Sequence, residues 1–301
     1  MEGRLVTDTT DIFSVEYGDI LQLGEKFYRV SGHEREARFG MDEPKFWVKK
    51  VEDLQTGEKK IIKLSFPEEF QTQIGGVKIR CFRNPLKEAQ VLEMMKDHPF
   101  FMHGTAERDS KGNILRILDI VPGQNFFRYI YSLDIPYEKY FSEVLPDILT
   151  KLARAFEAIR VLHAHELKHG DIRNDHIIVE RHSGNYIWID FDYDYEAPEN
   201  PFGLDLFGLG NVLTFAVGKG FHTIHTIWQD PATYGSLKDR LDTADFSVIF
   251  KERLINLQKL YPEIPKPLND ILMHFSRRAN VFYEYTGEII EDLNRCMCLL
   301  R

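Results

Sequence analysis

The 301 residues carry 38 Lys and Arg against 47 Asp and Glu, a net charge of −9, with 43% hydrophobic and 28% charged residues. That balance suits a globular chain with room for one large or two ordinary cores, and it excludes a general nucleic-acid or anionic-membrane binder, whose surface would be basic. No apolar run approaches a membrane span and "MEGRLVTDTTD" lacks a basic-then-apolar leader pattern, so the expected location is cytoplasmic.

The first third reads as strands. "KFYRV" (26–30), "KFWVKKVED" (45–53) and "KKIIKLSF" (59–66) are rich in β-branched and aromatic residues, and "QTGE" (55–58) signals a hairpin between the last two. A helix is expected over 84–97, where Leu86, Ala89 and Leu92 recur at helical spacing behind Pro85. Two more strands follow around the turn "RDSKGN", which makes five strands and one helix. "VPGQN" (121–125) marks the passage to a helix-rich remainder, so the expected division is 1–120 and 121–301.

In the second part, residues 142–166 carry Leu145, Ile148, Leu149, Leu152, Phe156, Ile159 and Leu162 on one face of a long amphipathic helix. "LDLFGLGNVLTFAV" (204–217) is apolar nearly all round and should be buried, and two further helical patterns close the chain. Cys81, Cys296 and Cys298 are too few and wrongly spaced for a disulfide or zinc framework. His163, His165, His169 and His182 are too scattered over helix, loop and strand end to share a metal.

Between the two apolar helices lie two acidic loops, "HGDIRNDHIIV" (169–179) and "WIDFDYDY" (188–195), whose Asp171 and Asp190 are 19 residues apart, each framed by isoleucines. With these stretches the chain resembles the protein-kinase-like superfamily, in an atypical form. "HGD" and "IDFDY" also look like the small-molecule kinases of the choline and aminoglycoside type. The resemblance implies an α+β, two-lobed protein-kinase-like fold: a small antiparallel β-rich N-lobe and a mainly helical C-lobe. Lys63 matches the strand lysine that pairs with ATP phosphates, and Glu88 the helix glutamate that holds it. Leu118, Asp119 and Val121 match the gatekeeper and the strand edge that meets adenine. Asp171 matches the catalytic Asp, and Arg173 stands where a phosphate-touching lysine is usual. Asp190 matches the metal-binding Asp with Phe191 as its packing partner, and Asp205 matches the buried-helix Asp that ties the loop backbone.

Four departures qualify the resemblance. His176 stands where a second metal ligand, an Asn, is usual; imidazole is a poor ligand for Mg2+ and acceptable for Mn2+. A one-metal mechanism through Asp190, help from Asp192 or Asp175, lost activity, and a His176 with no ligand role all stay open. Asp192 replaces a Gly. The stretch from Asp190 to "APE" (197–199) is too short for an activation loop. No glycine-rich phosphate loop is present; "VSGHEREARFG" supplies only Gly32 and Gly40 for that role.

The expectation is therefore an ATP-dependent kinase that uses Mg2+ or Mn2+ and transfers the γ-phosphate to a hydroxyl on protein Ser/Thr. The alternatives are a pseudokinase that binds nucleotide or scaffolds a partner, and a small-molecule or lipid-sugar kinase. The expected partners are ATP and a protein or small-molecule acceptor, with no nucleic acid.

Overall fold

Alternating β-branched and aromatic residues from Ile20 to Lys63 fold back and forth into the main sheet of a computed structural model, which describes residues 3–38, 41–74 and 76–298. The chain divides into two compact units: residues 1–69, 82–122 and 191–194 form the first, and 70–81, 123–190 and 195–301 the second. The first holds a seven-stranded sheet built from β1 (Leu5–Val6), β2 (Ile20–Leu23), β3 (Lys26–Arg38), β4 (Met41–Asp53), β5 (Lys59–Lys63), β8 (Gly104–Arg108) and β9 (Ile114–Asp119). Their order is β1-β2-β3-β4-β5-β9-β8, antiparallel except for the β1–β2 pair. Leu21, Leu23, Tyr28, Val30, Val51, Ile62, Leu115 and Ile117 form its core. Each such side chain contributes about 2 kcal/mol by burial.

Two strands of that sheet, β1 and β2, go beyond the five expected. Each is too short to show a period of two. Lys49 fastens the turn between them: its buried ammonium donates to the carbonyls of Ile12 at 3.2 Å and Val15 at 2.7 Å. Burial pulls this lysine down to about 8. The helix Pro85–Met94 starts at Asn84, whose side chain accepts from the Lys87 amide, with Pro85 in the first turn.

The second unit is built on the helix Leu145–Ala164, and all seven apolar-face residues named from the sequence are buried there. A π-turn, Tyr140–Val144, leads into it, with Pro146 in its first turn. The helix Gly203–Val217 is buried along most of its length, as its all-round apolarity requires. The helices Lys266–Met273 and Thr286–Met297 follow. A small antiparallel sheet, β10 (Gly123–Asn125), β11 (Ile177–Glu180) and β12 (Tyr186–Trp188), carries the acidic loops at its strand ends. Trp188 anchors it by donating to the Ala155 carbonyl at 2.8 Å. The strands β6 (Glu69–Ile74), β7 (Val77–Arg83) and β13 (Tyr193–Glu196) form a third sheet in the order β13-β7-β6. Ile79, Cys81 and Tyr195 are its core within the second unit.

Candidate functional site

In the first unit the register of the main sheet sets up a charge network. Lys63 on β5 is the antiparallel partner of Arg116 on β9, so the two cations share one face of the sheet. Both reach Glu88, which is fully buried on the helix Pro85–Met94: Lys63 Nζ lies 2.8 Å from Oε1 and Arg116 Nε 2.9 Å from Oε2. Asp192 stands on the other side, with Oδ2 2.6 Å from Arg83 Nη1, 3.6 Å from Lys63 Nζ and 4.0 Å from Arg116 Nη2. Arg83 also bonds Glu68 at 2.7 Å and the Tyr193 hydroxyl at 2.8 Å. The backbone carries the same connection, since the Asn84 amide donates to the Asp192 carbonyl and Lys87 Nζ to the Phe191 carbonyl at 2.6 Å. Phe191 itself is buried edge-on to Phe101.

Charges removed from water this far are tolerable only when each meets an opposite charge. Glu88→Gln removes the ion pairs of Lys63 at 2.8 Å and Arg116 at 2.9 Å, and leaves Asp192 at the longer distances of 3.6 and 4.0 Å. The expected loss is about 3 kcal/mol of stability, read from the denaturant midpoint at unchanged slope. A variant as stable as the wild type would show that the network contributes nothing net.

Leu118 is buried on β9 and Asp119 is exposed, paired with Lys60 at 2.7 Å. Val121 lies past the end of the strand, and its amide and carbonyl make no backbone hydrogen bond among the described residues. Gly32 has φ +150° at a bulge between β3 and β4. Gly40 lies outside the described residues.

In the second unit Asp205 organises the loop that carries Asp171. Its carboxylate accepts from the His169 amide at 2.7 Å, the Gly170 amide at 2.9 Å and His163 Nε2 at 3.0 Å. Thr286, opening the last helix, lies 3.0 Å from the other nitrogen of His163. Burial pushes the Asp205 carboxyl upward, but the bond and charge of His163, with His169 and the Gly170 amide, outweigh it and hold the group below the usual carboxylate value. Gly170, at φ +89°, makes the turn that aims both amides inward.

Beyond that turn Asp171 is about one-fifth exposed and Asp190 equally so, at 22% each. His176 stands between them: Nδ1 is 2.8 Å from the Asp171 carbonyl and 3.4 Å from its carboxylate, and Nε2 is 3.3 Å from Asp190 Oδ2. Burial raises the Asp171 pKa, opposed by His176 and Arg173 and reinforced by Asp190. Asp190 has φ +64°, a left-handed conformation that Asp tolerates better than bulkier residues. Arg173 forks onto Asp175 and keeps one nitrogen 3.9 Å from the Asp171 carboxylate.

Of the residues named from the sequence, Asp171, Arg173, His176 and Asp190 meet in one cluster, held by Asp205. Lys63 and Glu88 meet in another, where Asp192 joins them as an ion-pair partner. Among the described residues no three His, Cys, Asp or Glu side chains converge to hold a metal unaided. Arg116, Arg83 and Thr286 were not singled out, and His163 was weighed only as one of four scattered histidines. Arg116 had a signal: a charge in the middle of the apolar "ILRILD" needs a buried partner. His163 and Thr286 had none, because their partners lie 42 and 123 residues away.

No protein-family profile and no curated protein matches the sequence. Solved structures do match its fold. The kinase PK-1 of Cydia pomonella granulovirus superposes with a TM-score of 0.52 at 14% identity, over 88% of this chain and 93% of that one. The chain has an α+β, protein-kinase-like fold of the two-lobed type, with an antiparallel β-rich N-terminal region and a helical C-terminal region.

Proposed function

We propose that this chain is an ATP-dependent phosphotransferase acting on a hydroxyl, that of protein Ser or Thr. The observation that carries the proposal is the Asp171 loop: a half-buried carboxylate, with its pKa raised, held at its base by two amide hydrogen bonds to Asp205 and flanked by a second carboxylate, Asp190. A carboxylate so placed accepts or orients a hydroxyl proton, and a raised pKa makes it a better base. Arg173 supplies a cation beside it, suited to the transferring phosphoryl group. Lys63, held by Glu88, is a fixed ammonium for the nucleotide phosphates.

The donor set suits one divalent ion. Asp190 offers a hard carboxylate, and Mg2+ is commonly held by one or two carboxylates with waters and substrate phosphates completing its shell. Such an ion would neutralise charge developing on the phosphate oxygens. A second ion has poorer support, because position 176 offers an imidazole and Asp192 is already paired with Arg83 and Lys63.

The test is transfer of labelled γ-phosphate in Mg2+ or Mn2+, alone and with generic protein acceptors, beside Asp171→Ala and Asp190→Asn. Transfer that survives in both variants sinks the proposal. The contact of His176 with both carboxylates favours a second reading, a nucleotide-binding module with little or no turnover. His176→Asn restores an oxygen donor, and turnover in Mg2+ is expected to rise roughly tenfold, equal to about 1.4 kcal/mol. Nucleotide binding without transfer in either metal, in the wild type and in His176→Asn alike, supports the second reading.

A further inference from the structure

The helix Gly203–Val217 extends the candidate site beyond Asp171. Ile172, next to Asp171 in the chain, packs so closely on Gly208 that a Cβ there would lie 2.6 Å from the Ile172 Cβ and 2.9 Å from its carbonyl oxygen. Asn211 is three residues further on, on the same face and about 4.5 Å along the axis. The Asn211 side-chain oxygen accepts from Arg253 Nη1. One helix face thus runs from the loop of Asp171 to the guanidinium of Arg253, and Gly208 and Asn211 are both partly exposed on it.

Arg253 is an unusual cation. Its guanidinium carbon lies 3.5 Å from the centre of the Phe221 ring and 4.0 Å from that of Phe250. Ring stacking covers the guanidinium faces and leaves the N–H groups at its edge to find partners. Among the described residues those partners are few: Nη1 bonds Asn211, Nε is buried without any partner, and no carboxylate pairs with the group. The neighbouring acid, Glu252, is exposed and paired with His225 at 3.3 Å. Burial pulls the Arg253 pKa down to about 10, with the Tyr131 phenol as the one opposing influence. A structural arginine at this depth would normally be forked onto a carboxylate. This one is desolvated, oriented and left without a counter-charge.

We propose that Arg253 selects the acceptor, taking the carboxylate of an acidic residue that lies along the peptide from the hydroxyl presented to Asp171. The proposal rests on the phosphotransfer reading and adds a substrate class to it: acidic peptides. A carboxylate at the guanidinium edge supplies the missing counter-charge, and Phe221 and Phe250 lie against that group. An ion pair of this kind sets specificity through the charge left unpaired when the wrong partner binds.

The experiment walks a single Asp along a Ser-containing peptide of otherwise neutral sequence. It measures kcat/KM for transfer, and binding by fluorescence anisotropy with ATP absent. Wild-type protein should prefer Asp at one spacing from the Ser by tenfold or more over the all-neutral peptide. Arg253→Gln should reduce that ratio to near one, and Arg253→Lys should leave part of it. Arg253→Glu should reverse the preference toward a peptide with Lys at the same spacing, a gain that misfolded protein has no means to produce. If the wild type transfers phosphate yet ignores the position of Asp, the acceptor assignment is wrong and the phosphotransfer reading survives. If nothing is phosphorylated but Arg253→Gln abolishes binding of the Asp peptide, the anion site stands and the phosphotransfer reading falls. Equal binding of acidic and neutral peptides by the wild type overturns the proposal whatever the turnover.

Discussion

Asp171→Asn should lower phosphate transfer by about 10²- to 10⁴-fold, the range for loss of a positioned general base, and at the same time make the protein more stable at neutral pH. The second half of this expectation comes from the raised pKa of the Asp171 carboxyl, whose main cause is burial. A group whose pKa is higher folded than unfolded favours the folded state only while it is protonated. The favourable contribution is complete below the ordinary carboxylate range and is lost as pH rises through the raised folded value. At pH 7, above the ordinary carboxylate value, burial of Asp171 is therefore a disadvantage to the folded protein that the uncharged amide removes. Thermal unfolding of both proteins from pH 7 down to pH 3 measures this: the variant melts higher at pH 7, and the gap closes as the pH falls. A gap that is absent at pH 7, or that widens in acid, contradicts the assignment of Asp171 as a strained, functional carboxylate.

Asp205→Ala is the second large effect. It deprives the His169 and Gly170 amides and the buried His163 of their common acceptor. Removing one member of a buried charged network typically costs about 3–5 kcal/mol, because the remaining polar groups stay desolvated and unpaired. Denaturant unfolding should show a loss of that size at unchanged slope. Activity should fall even where the variant remains folded, since the turn at Gly170 that precedes Asp171 loses its anchor. A stability change under about 1 kcal/mol would mean that His163 and the two amides find other partners.

These effects could be anticipated from the sequence to different degrees. Asp171 and Asp190 were legible because each carboxylate lies in a loop next to an apolar strand, a placement that is hard to explain by packing. Lys63 and Glu88 were legible mainly through order and spacing along the chain; their 2.8 Å contact depends on a helix and a strand whose relation no local pattern encodes. The long helices announced themselves by periodicity, and the helix Leu145–Ala164 buries the face the pattern marks. The two N-terminal strands went unread because two and four residues give no period to detect. Arg253 was invisible for another reason. Its surroundings, Phe221, Phe250 and Asn211, come from three segments joined only by the fold, and its most informative property is the partner it lacks.

The loop of Asp171 is fastened to the helix Gly203–Val217 at two points three residues apart, through the carboxylate of Asp205 and through the bare backbone of Gly208 beneath Ile172. One fastening is ionic and directional, the other purely steric. They answer to different conditions. Acid weakens the first as pH falls through the lowered pKa of Asp205, while cold weakens the apolar contact and leaves the ionic one intact. Neither stress alone releases both, so the carboxylate keeps its place over a wider range of pH and temperature than either attachment would allow by itself.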